Sequence, residues 1–525
     1  MFYLSNTNNP VNFNFTLLNH TTIGSYDCYY DYLYESHIES NILFLYSGEC
    51  YDSNGEKINL ERIKTEGVDL LKNSDGYFTF IIIDKGSVKV FKSLYRRGDI
   101  FWKKNGTNLF ISDDLSILFN NLSDIKINDK FCRGFIESET KTFGDTPFKE
   151  INKAPGGCEL IFDLESGVSV NNFQDLEKNE SDFFSSLENV IKSFSNNRNV
   201  YLHYSGGLDS TIVFLTLKML GIPFQVIHHV AFDFEQDSEK KLVIDMCNKY
   251  CIKYHLIKPK FEECDTEDAV QHPNDLALCG VSYHSETFDY NSLNFDSDII
   301  FDGQGGDALF VQYPSWNIGY QLICANKTKL ALKKINELSK LKNIPPLKIF
   351  KHTFKLFLNK KNTYNTHPLI LKRDAFSADF EHQCNVLNMI ESREHSSTLT
   401  YQTYSPLLSL NPVKSWLTHD YDCNFNSNLD RSLIRDIALL KFEEKLVLNI
   451  RKRSSVNVGR ELLNFNEELI DRMLNQTTFL TSIGLDNEEF REEYYLNSNI
   501  RYTEKCSSIQ NAAILFKYFS QFNLV

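Results

Sequence analysis

The segment from residue 199 to residue 220 has the pattern of a buried strand, a glycine turn and a helix, and it constrains the fold more than any other stretch. Asn199 to Tyr204 is rich in β-branched and aromatic residues, Gly206-Gly207 leaves the backbone bare, and apolar residues recur with helical spacing from Thr211 to Leu220. Such a turn directs backbone N–H groups and the positive end of a helix dipole at one point, where the hydroxyls of Ser205 and Ser210 add donors. The pattern predicts a pyrophosphate site, and a serine-capped connection without a ligand is the alternative.

The glycine spacing excludes two other phosphate loops. No Gly-Lys-Ser/Thr follows the glycines, as a Walker loop requires, and the spacing of a dinucleotide fingerprint is absent. The chain then alternates strands with helices, which is typical of a doubly wound parallel sheet whose ligands bind at the carboxyl ends of the strands. The predicted elements are strands Val200–Tyr204, Phe224–Ala231 and Asp298–Phe301, helices Thr211–Leu220 and Ser238–Cys251, and a helical remainder from Asn317 to Val525.

The front of the chain has a different pattern, with short β-rich runs separated by turns, which predicts sheets packed face to face. An amphipathic helix from Asp175 to Arg198 then leads into the second half. We therefore predict an α/β protein with two domains, residues 1–170 and 171–525. The predicted front strands are Ile42–Tyr46, Gly76–Asp84, Val88–Phe91, Leu109–Ser112 and Glu159–Phe162.

Composition limits the class of protein. The 525 residues are 42% hydrophobic and 13% aromatic, which is ordinary for a soluble globular protein, and no apolar run is long enough to cross a bilayer. We expect a cytoplasmic protein that contacts no membrane, with its twelve cysteines reduced, since none forms a Cys-x-x-Cys pair. The net charge of −14 disfavours nucleic acid as a partner.

Residues 325–375 are the exception to this acidic balance, because thirteen lysines and arginines are opposed there only by Glu337 and Asp374. Such a block is typical of the solvated face of a surface helix pair. It could also hold an acidic or phosphorylated partner.

The string Ser205-Gly-Gly-Leu-Asp209-Ser210 resembles the PP-loop of ATP pyrophosphatases, which cleave ATP to AMP and pyrophosphate. Further segments, covering roughly residues 190 to 460, resemble asparagine synthetases in order and spacing. These segments are Asp237–Glu239, Tyr283–Asp289, Phe301–Asp307, Leu433–Asp436 and Arg451–Lys452.

The front half resembles the glutaminase domain of the same family, which implies an Ntn-type β-sandwich. The matching segments are Ser74–Phe80, Tyr95–Ile100 and Thr146–Ile151. Those glutaminases use a cysteine directly after the initiator methionine, whereas this chain has Phe2. Cys28 and Cys50 cannot supply a terminal amine as base, so we expect an inactive scaffold.

Relatives that lack this cysteine include β-lactam synthetases and lasso peptide cyclases. After Gly303, asparagine synthetases carry Glu and β-lactam synthetases carry Tyr, whereas Gln304 stands here. Gln304 is no general base at neutral pH and could orient a carboxylate or amine. The Asn- and Lys-rich composition, the basic segment and Lys452-Arg-Ser-Ser455 look most like the lasso cyclases of microcin clusters.

This resemblance implies an ATP-dependent ligase that adenylates an Asp or Glu side chain of a ribosomal peptide. The N-terminal amine of that peptide then attacks, which closes a macrolactam and releases AMP and pyrophosphate. The implied partners are the precursor peptide and a leader peptidase. Ammonia-dependent asparagine synthesis, β-lactam-type synthesis and a nucleotide-binding scaffold without activity remain the alternatives.

The resemblance also implies a role for individual residues, with ATP and Mg²⁺ as cofactors. Lys452 would stabilise the oxyanion beside the phosphate. The base that deprotonates the amine stays unassigned among Tyr283, His284 and Glu286. The predicted catalytic residues are Lys452, Gln304 and Glu286. The metal would be held by Asp209 and Asp307. The predicted nucleotide contacts are Ser205, Gly206, Gly207, Leu208, Asp209, Ser210, Val230 and Gly303.

Overall fold

The structure, a computed structural model, contains three β-sheets and a set of helices that pack mainly in the second half. It describes residues 1–6, 18–95, 98–122, 125–136, 144–163, 167–177, 181–230, 238–260, 282–284, 288–358, 367–370, 378–392, 402–450, 467–475, 477–486, 488 and 504–520.

The strands are numbered in chain order. They are β1 Phe2–Ser5, β2 Asn19–Ile23, β3 Tyr26–Tyr30, β4 Glu35–Glu39, β5 Ile42–Tyr51, β6 Lys57–Ile58, β7 Asp75–Ile83, β8 Ser87–Lys92, β9 Phe101–Asn105, β10 Asn108–Ser112, β11 Asn152–Lys153, β12 Cys158–Asp163, β13 Gly167–Asn172, β14 Asn199–His203, β15 Phe224–His229, β16 Tyr254–Lys260, β17 Ser282–His284, β18 Asp298–Phe301 and β19 Gln402–Tyr404.

The α-helices are numbered in the same way. They are α1 Leu60–Glu66, α2 Leu115–Asn121, α3 Asp129–Ile136, α4 Phe183–Ser195, α5 Leu208–Met219, α6 Ser238–Lys249, α7 Gly306–Leu309, α8 Ile318–Cys324, α9 Thr328–Lys342, α10 Pro346–Leu358, α11 Ala378–Ser392, α12 Leu410–Trp416, α13 Ser432–Phe442, α14 Leu446–Asn449, α15 Glu467–Asn475, α16 Thr477–Ser482 and α17 Glu504–Ser520. None of these described helices has both the length and the apolar character needed to cross a membrane.

Two antiparallel sheets form the front half. The first has the order β11-β9-β10-β1-β3-β2, and the second has the order β13-β12-β8-β7-β5-β4, with β6 beside β5. Apolar residues of both sheets share one buried cluster, for example Leu4 and Ile111 of the first sheet with Leu45 and Val90 of the second. The predicted packing of sheet on sheet is therefore confirmed.

The third sheet has the order β17-β16-β15-β14-β18-β19. All of its strands run parallel except β17, which pairs antiparallel with β16 at one edge. Helix α5 connects β14 to β15, as a crossover between neighbouring parallel strands requires. The mixed α/β architecture predicted for the chain is confirmed, and the carboxyl ends of β14, β15 and β18 meet at one edge.

Several predicted boundaries differ from the structure. The helix expected from Asp175 begins at Phe183, because Asp182 is its N-cap and accepts a hydrogen bond from the backbone N–H of Ser185 at 2.9 Å. The helical remainder expected after Asn317 also contains one strand that was not predicted, β19, which extends the parallel sheet beside β18. Strand β16 was also missed.

A buried polar network joins the two halves. Arg198, which precedes β14, donates to both oxygens of Glu49 on β5, at 2.7 and 2.9 Å. Gln402 on β19 donates to the same carboxylate at 3.1 Å and to the hydroxyl of Tyr77 at 3.2 Å. Because Glu49 of the front half pairs with Arg198 and Gln402 of the second half, the network fixes the front sheets against the parallel sheet.

Candidate functional site

The predicted phosphate loop lies where β14 turns into α5. Gly206 has a φ of +77°, a left-handed conformation that favours glycine, and Gly207 is the N-cap of α5. No side chain caps this end of α5 within the described chain. The hydroxyls of Ser205 and Ser210 lie 3.1 Å apart across the turn, and Ser205 is exposed. Ser210 is buried, and its hydroxyl also donates to the carbonyl of Gly207 at 3.2 Å. The first turn of α5 and the exposed Ser205 therefore lie together at this edge of the sheet, where backbone N–H groups of a helix start can bind an anion.

A second glycine loop, from Gly303 to Gly306, packs directly on this first turn. A Cβ added to Gly303 would come within 2.7 Å of the Cα of Ser210, and one added to Gly306 would come within 2.6 Å of the Cβ of Asp209. Real Cβ atoms essentially never approach other atoms so closely. The glycines therefore allow the loop after β18 to touch the loop after β14, which brings the predicted residues of both loops into one site.

Two carboxylates of this site share one guanidinium. Asp209 lies in the first turn of α5, Asp307 lies in the first turn of α7, and Nη1 of Arg431 donates to the two oxygens of Asp209 at 3.1 and 3.2 Å and to Oδ1 of Asp307 at 3.1 Å. Arg431 is buried and has a φ of +50° at the N-cap of α13. The two residues predicted as metal ligands are thus adjacent in space, with Arg431 as their counter-ion.

A third carboxyl, Asp302, lies at the end of β18 beneath the second loop. It is buried, it accepts a hydrogen bond from the hydroxyl of Ser405, and it accepts another from the backbone N–H of Gln304 at 3.0 Å. Burial raises the pKa of Asp302 to about 6, although both hydrogen bonds oppose the shift. The side chain of Gln304 itself is exposed.

Two imidazoles meet at the carboxyl ends of β14 and β15. Nε2 of His203 lies 3.0 Å from the hydroxyl of Tyr290, and Nε2 of His229 lies 2.8 Å from the same hydroxyl. Burial, with a smaller contribution from His229, lowers the pKa of His203 to about 3, so this ring is neutral at physiological pH. The hydroxyl can donate to one ring while the other ring donates to it.

The other predicted site residues have different positions. Val230 follows β15 and is buried, and its backbone N–H donates to the carbonyl of Ile257 at 2.8 Å. Tyr283 and His284 lie on β17, at the edge of the sheet. Two strands, β16 and β15, lie between β17 and the strand β14 that leads into the first loop. Glu286 and Lys452 lie outside the described residues, so their roles remain predictions.

Sequence analysis missed Arg431, Asp302 and the pair of histidines. Arg431 precedes the predicted segment Leu433–Asp436 by two residues, so extending that segment could have found it. Asp302 directly follows the predicted strand Asp298–Phe301, and His203 is the last residue but one of the predicted strand Val200–Tyr204. Their position at the carboxyl ends of these strands was the available signal.

An apolar residue, Phe2, stands in this chain where the glutaminases carry their nucleophilic cysteine. The side chain of Phe2 is buried, and its ring centroid lies 5.8 Å from that of Tyr34. Cys28 and Cys50 are buried as well, and burial raises the pKa of the Cys50 thiol to about 12. Since the thiolate is the nucleophilic form, neither cysteine is suited to replace the absent one.

The donor set fits ATP with Mg²⁺. A pyrophosphate group requires several fixed donors, and the bare first turn of α5 provides them beside two hydroxyls. Mg²⁺ typically takes one or two carboxylates and completes its shell with phosphate and water. Asp209 and Asp307 supply two carboxylates, and no cluster of three or more metal-ligating side chains occurs within the described ranges.

Comparison with known proteins identifies one relative along almost the whole chain. The microcin J25-processing protein McjC of Escherichia coli shares 23% identity over 498 residues, which cover 91% of this chain and 93% of that protein. No family model matches the sequence. Along almost its whole length the chain therefore resembles a microcin-processing protein.

Two solved structures overlap only weakly. The allosteric regulatory enzyme of purine biosynthesis covers 58% of this chain and 64% of its own, with 10% identity and a TM-score of 0.20. Glutamine phosphoribosylpyrophosphate amidotransferase from B. subtilis, complexed with ADP and GMP, covers 55% and 63%, with the same identity and score. This chain spans less than two thirds of either structure, and so poor a superposition supports no statement about function.

Proposed function

We propose that this asparagine synthetase-like chain is a peptide macrolactam synthetase that requires ATP. It would join the N-terminal amine of a ribosomal peptide to an Asp or Glu side chain of the same peptide by way of an adenylated carboxylate, with release of AMP and pyrophosphate. The precursor peptide would be its substrate and a leader peptidase its partner. The relation to a microcin-processing protein over 91% of the chain carries this proposal.

The geometry supports the nucleotide half of the proposal. ATP supplies the leaving group that a carboxylate lacks, and Mg²⁺ neutralises phosphate charge. The first turn of α5, with the hydroxyls of Ser205 and Ser210 3.1 Å apart, would hold the pyrophosphate by dipoles that are fixed before the reaction. Val230 and Gly303, at the ends of β15 and β18, border the same edge of the sheet.

The two carboxylates and Arg431 would have different roles. Asp209 and Asp307 would ligate Mg²⁺, and Arg431 balances their charge in the free protein at 3.1 Å from each. Because a cation between the carboxylates competes with the guanidinium, metal binding would weaken these hydrogen bonds. Gln304, exposed at the site, would orient the carboxylate or amine of the peptide.

Lys452 and the base act in the second half of the reaction. Lys452 would stabilise the oxyanion that forms when the amine attacks, so Lys452→Ala would lower turnover far more than ATP affinity. Glu286, Tyr283 and His284 are the base candidates from the sequence.

A mass measurement tests the proposal. The precursor peptide from the neighbouring genes is incubated with the leader peptidase, ATP, Mg²⁺ and this protein. We expect the core peptide to lose the mass of one water, with one AMP and one pyrophosphate released for each peptide. The variant Asp307→Asn, which removes a proposed metal ligand with little change in shape, is expected to leave the peptide mass unchanged.

The alternatives give different products. Asparagine and AMP formed from aspartate, ammonia and ATP would replace the proposal by ammonia-dependent synthesis. Protein that binds ATP but releases neither AMP nor pyrophosphate with any precursor peptide would act as a scaffold.

A further inference from the structure

Helix α10, Pro346–Leu358, has a second apolar face that points to solvent. Its inner face contains the buried Ile349 and Thr353, and α10 packs there against α8 and α9. A neighbouring stripe recurs at helical spacing and is exposed, with Leu347 at 65%, Phe350 at 37%, Phe354 at 65%, Phe357 at 37% and Leu358 at 70% of full accessibility. A stripe about 100° wide is what a helix normally buries against a neighbour. We call these five residues the α10 stripe.

Lysines border the α10 stripe along one side. Lys348, Lys351 and Lys355 lie between the stripe and the inner face, and none of them forms an ion pair with the described residues. On the other side Phe357 contacts Tyr320 of α8, with ring centroids 4.7 Å apart. The surface is therefore apolar in its centre, basic along one edge and closed by the protein along the other.

We propose that the α10 stripe and its lysines dock an acidic amphipathic segment of a partner protein. Such a segment would bury an apolar stripe of its own against Phe354 and Leu358 and place Asp or Glu side chains opposite Lys351 and Lys355. Exposed apolar patches with a polar border are typical of protein interaction sites. This inference goes beyond the proposed reaction and does not depend on it.

Charge favours this occupant over two others. A second copy of the chain would bring lysines of one stripe against those of the other in a two-fold contact, where like charges repel. An anionic membrane would attract the lysines, but the chain as a whole carries −14, and cations border only one side of the stripe. An acidic protein segment satisfies both the apolar centre and the basic edge.

The surface belongs to the same unit as the candidate site. Helix α8 begins eleven residues after Asp307, and a Cβ on its Gly319 would come within 2.7 Å of the hydroxyl oxygen of Thr353 on α10. Helices α8 and α10 are thus in close contact. A partner on the α10 stripe would sit on the helices that follow the second glycine loop.

A binding experiment with the full chain tests the proposal. The probe is a synthetic helical peptide with leucines at positions i, i+3, i+4 and i+7, flanked by glutamates, and its matched peptide carries lysines in place of the glutamates. We expect the glutamate peptide to bind in fluorescence anisotropy and the lysine peptide to bind at least about tenfold more weakly. Binding of the glutamate peptide is expected to weaken as salt rises.

Two variants examine the two parts of the surface separately. Phe354→Ser with Leu358→Ser removes the apolar centre, and Lys351→Glu with Lys355→Glu reverses the basic edge. Each pair of substitutions is expected to lower the affinity for the glutamate peptide at least about tenfold, and the charge reversal should raise the affinity for the lysine peptide. Leu440→Ser on α13, where Leu440 is 83% exposed, is the matched control and should leave binding unchanged.

Three results would overturn the proposal. One is equal affinity for the glutamate and lysine peptides, or an affinity for the glutamate peptide that neither pair of substitutions changes. Another is a dimer in sedimentation that Phe354→Ser with Leu358→Ser dissociates. The third is binding to phosphatidylglycerol vesicles without binding to the glutamate peptide. All substituted side chains are exposed, so an unchanged Tm is expected, and either variant pair alone is sufficient for the test.

Discussion

Arg431 donates hydrogen bonds to both carboxylate oxygens of Asp209, at 3.1 and 3.2 Å. The same nitrogen reaches Oδ1 of Asp307 at 3.1 Å, and the Nε of the guanidinium has no partner among the described atoms. A buried cation that serves two carboxylates neutralises a site that would otherwise be strongly anionic. Since Mg²⁺ prefers these carboxylates as ligands, Arg431 and the metal would share one pair of acceptors.

Arg431→Met is expected to destabilise the protein and make its stability depend on Mg²⁺. Removing the cation leaves two half-buried carboxylates, which are 14% and 26% exposed, without their counter-ion, and this costs about 1–3 kcal/mol. A metal ion at the same carboxylates would restore part of this free energy of unfolding. Urea unfolding with and without MgCl₂ measures both effects.

Arg62→Met is the matched control for this experiment. Arg62 forms ion pairs with Asp52 at 2.9 Å and Glu66 at 2.8 Å on the surface of the front half, far in sequence from the site. Its loss should cost about 1 kcal/mol or less and give no response to Mg²⁺. If the two variants respond equally to Mg²⁺, Asp209 and Asp307 do not form the metal site.

Gly306→Ala is expected to weaken nucleotide binding strongly, because its added methyl group displaces one of the two glycine loops. The added Cβ would come within 2.6 Å of the Cβ of Asp209, so one of the two glycine loops must shift. A displacement near 1 Å can lower a rate about 100-fold. We expect ATP with Mg²⁺ to raise the Tm of the parent protein and to raise that of Gly306→Ala much less.

Gly86→Ala provides the comparison, because a Cβ at Gly86 has no atom within 4 Å and its φ is not positive. This variant should retain the full thermal response to ATP. A retained response in Gly306→Ala would mean that the two loops need not touch for the nucleotide to bind.

The pKa of Asp302 predicts the sign of a pH effect. Burial raises this pKa from 3.8 to about 6, so the folded state binds a proton more tightly than the unfolded state does. The stabilisation is fully present below pH 4 and is lost as the pH rises through 6, and two pKa units correspond to about 2–3 kcal/mol. Asp302→Asn removes the titration, so its free energy of unfolding relative to the parent should increase between pH 4 and pH 7.

Urea unfolding of both proteins across this pH range measures the difference. Asn can still accept the hydrogen bonds from Ser405 and from the N–H of Gln304, so the fold should be retained. A difference that is independent of pH would mean that Asp302 titrates normally in the folded protein.

The sequence predicted those elements whose signal is local. Strand β18 was predicted with the bounds that it has in the structure, and the glycine turn at 206–207 lies between the predicted strand and helix. Strand β19 has only three residues, too few for a periodic pattern, so its pairing with β18 determines its structure. Hydrophobic periodicity detects helices and longer strands but not a short strand of this kind.

The contacts of the site were less predictable because they connect distant parts of the chain. Arg431 lies 222 positions after Asp209 and 124 after Asp307, and no local pattern relates these residues. The raised pKa of Asp302 likewise arises from burial under the second loop, which only the packing determines. Sequence analysis could name Asp209 and Asp307 from a resemblance, but it could not identify their common counter-ion.

The ion pair between Glu49 and Arg198 is expected to stabilise the contact between the two halves of the chain. Burial raises the pKa of Glu49, but the hydrogen bonds and charge of Arg198 outweigh it, so the pKa lies below its usual value. This contribution to stability is present above the unfolded pKa of Glu and is lost as the pH falls through the lower folded pKa. Glu49→Gln and Arg198→Met should each cost about 3–5 kcal/mol at pH 7, because each leaves a buried charge without its partner.

The double variant separates the pair from its surroundings. With both charges removed, the cost should be clearly smaller than the sum of the single costs, since neither variant then leaves an unpaired ion. Glu56→Gln is the control, because Glu56 is 72% exposed and reaches Arg62 only at 3.7 Å, so its loss should change stability by about 0.5 kcal/mol or less. Strict additivity of Glu49→Gln and Arg198→Met in urea unfolding would show that this ion pair does not hold the front sheets against the parallel sheet.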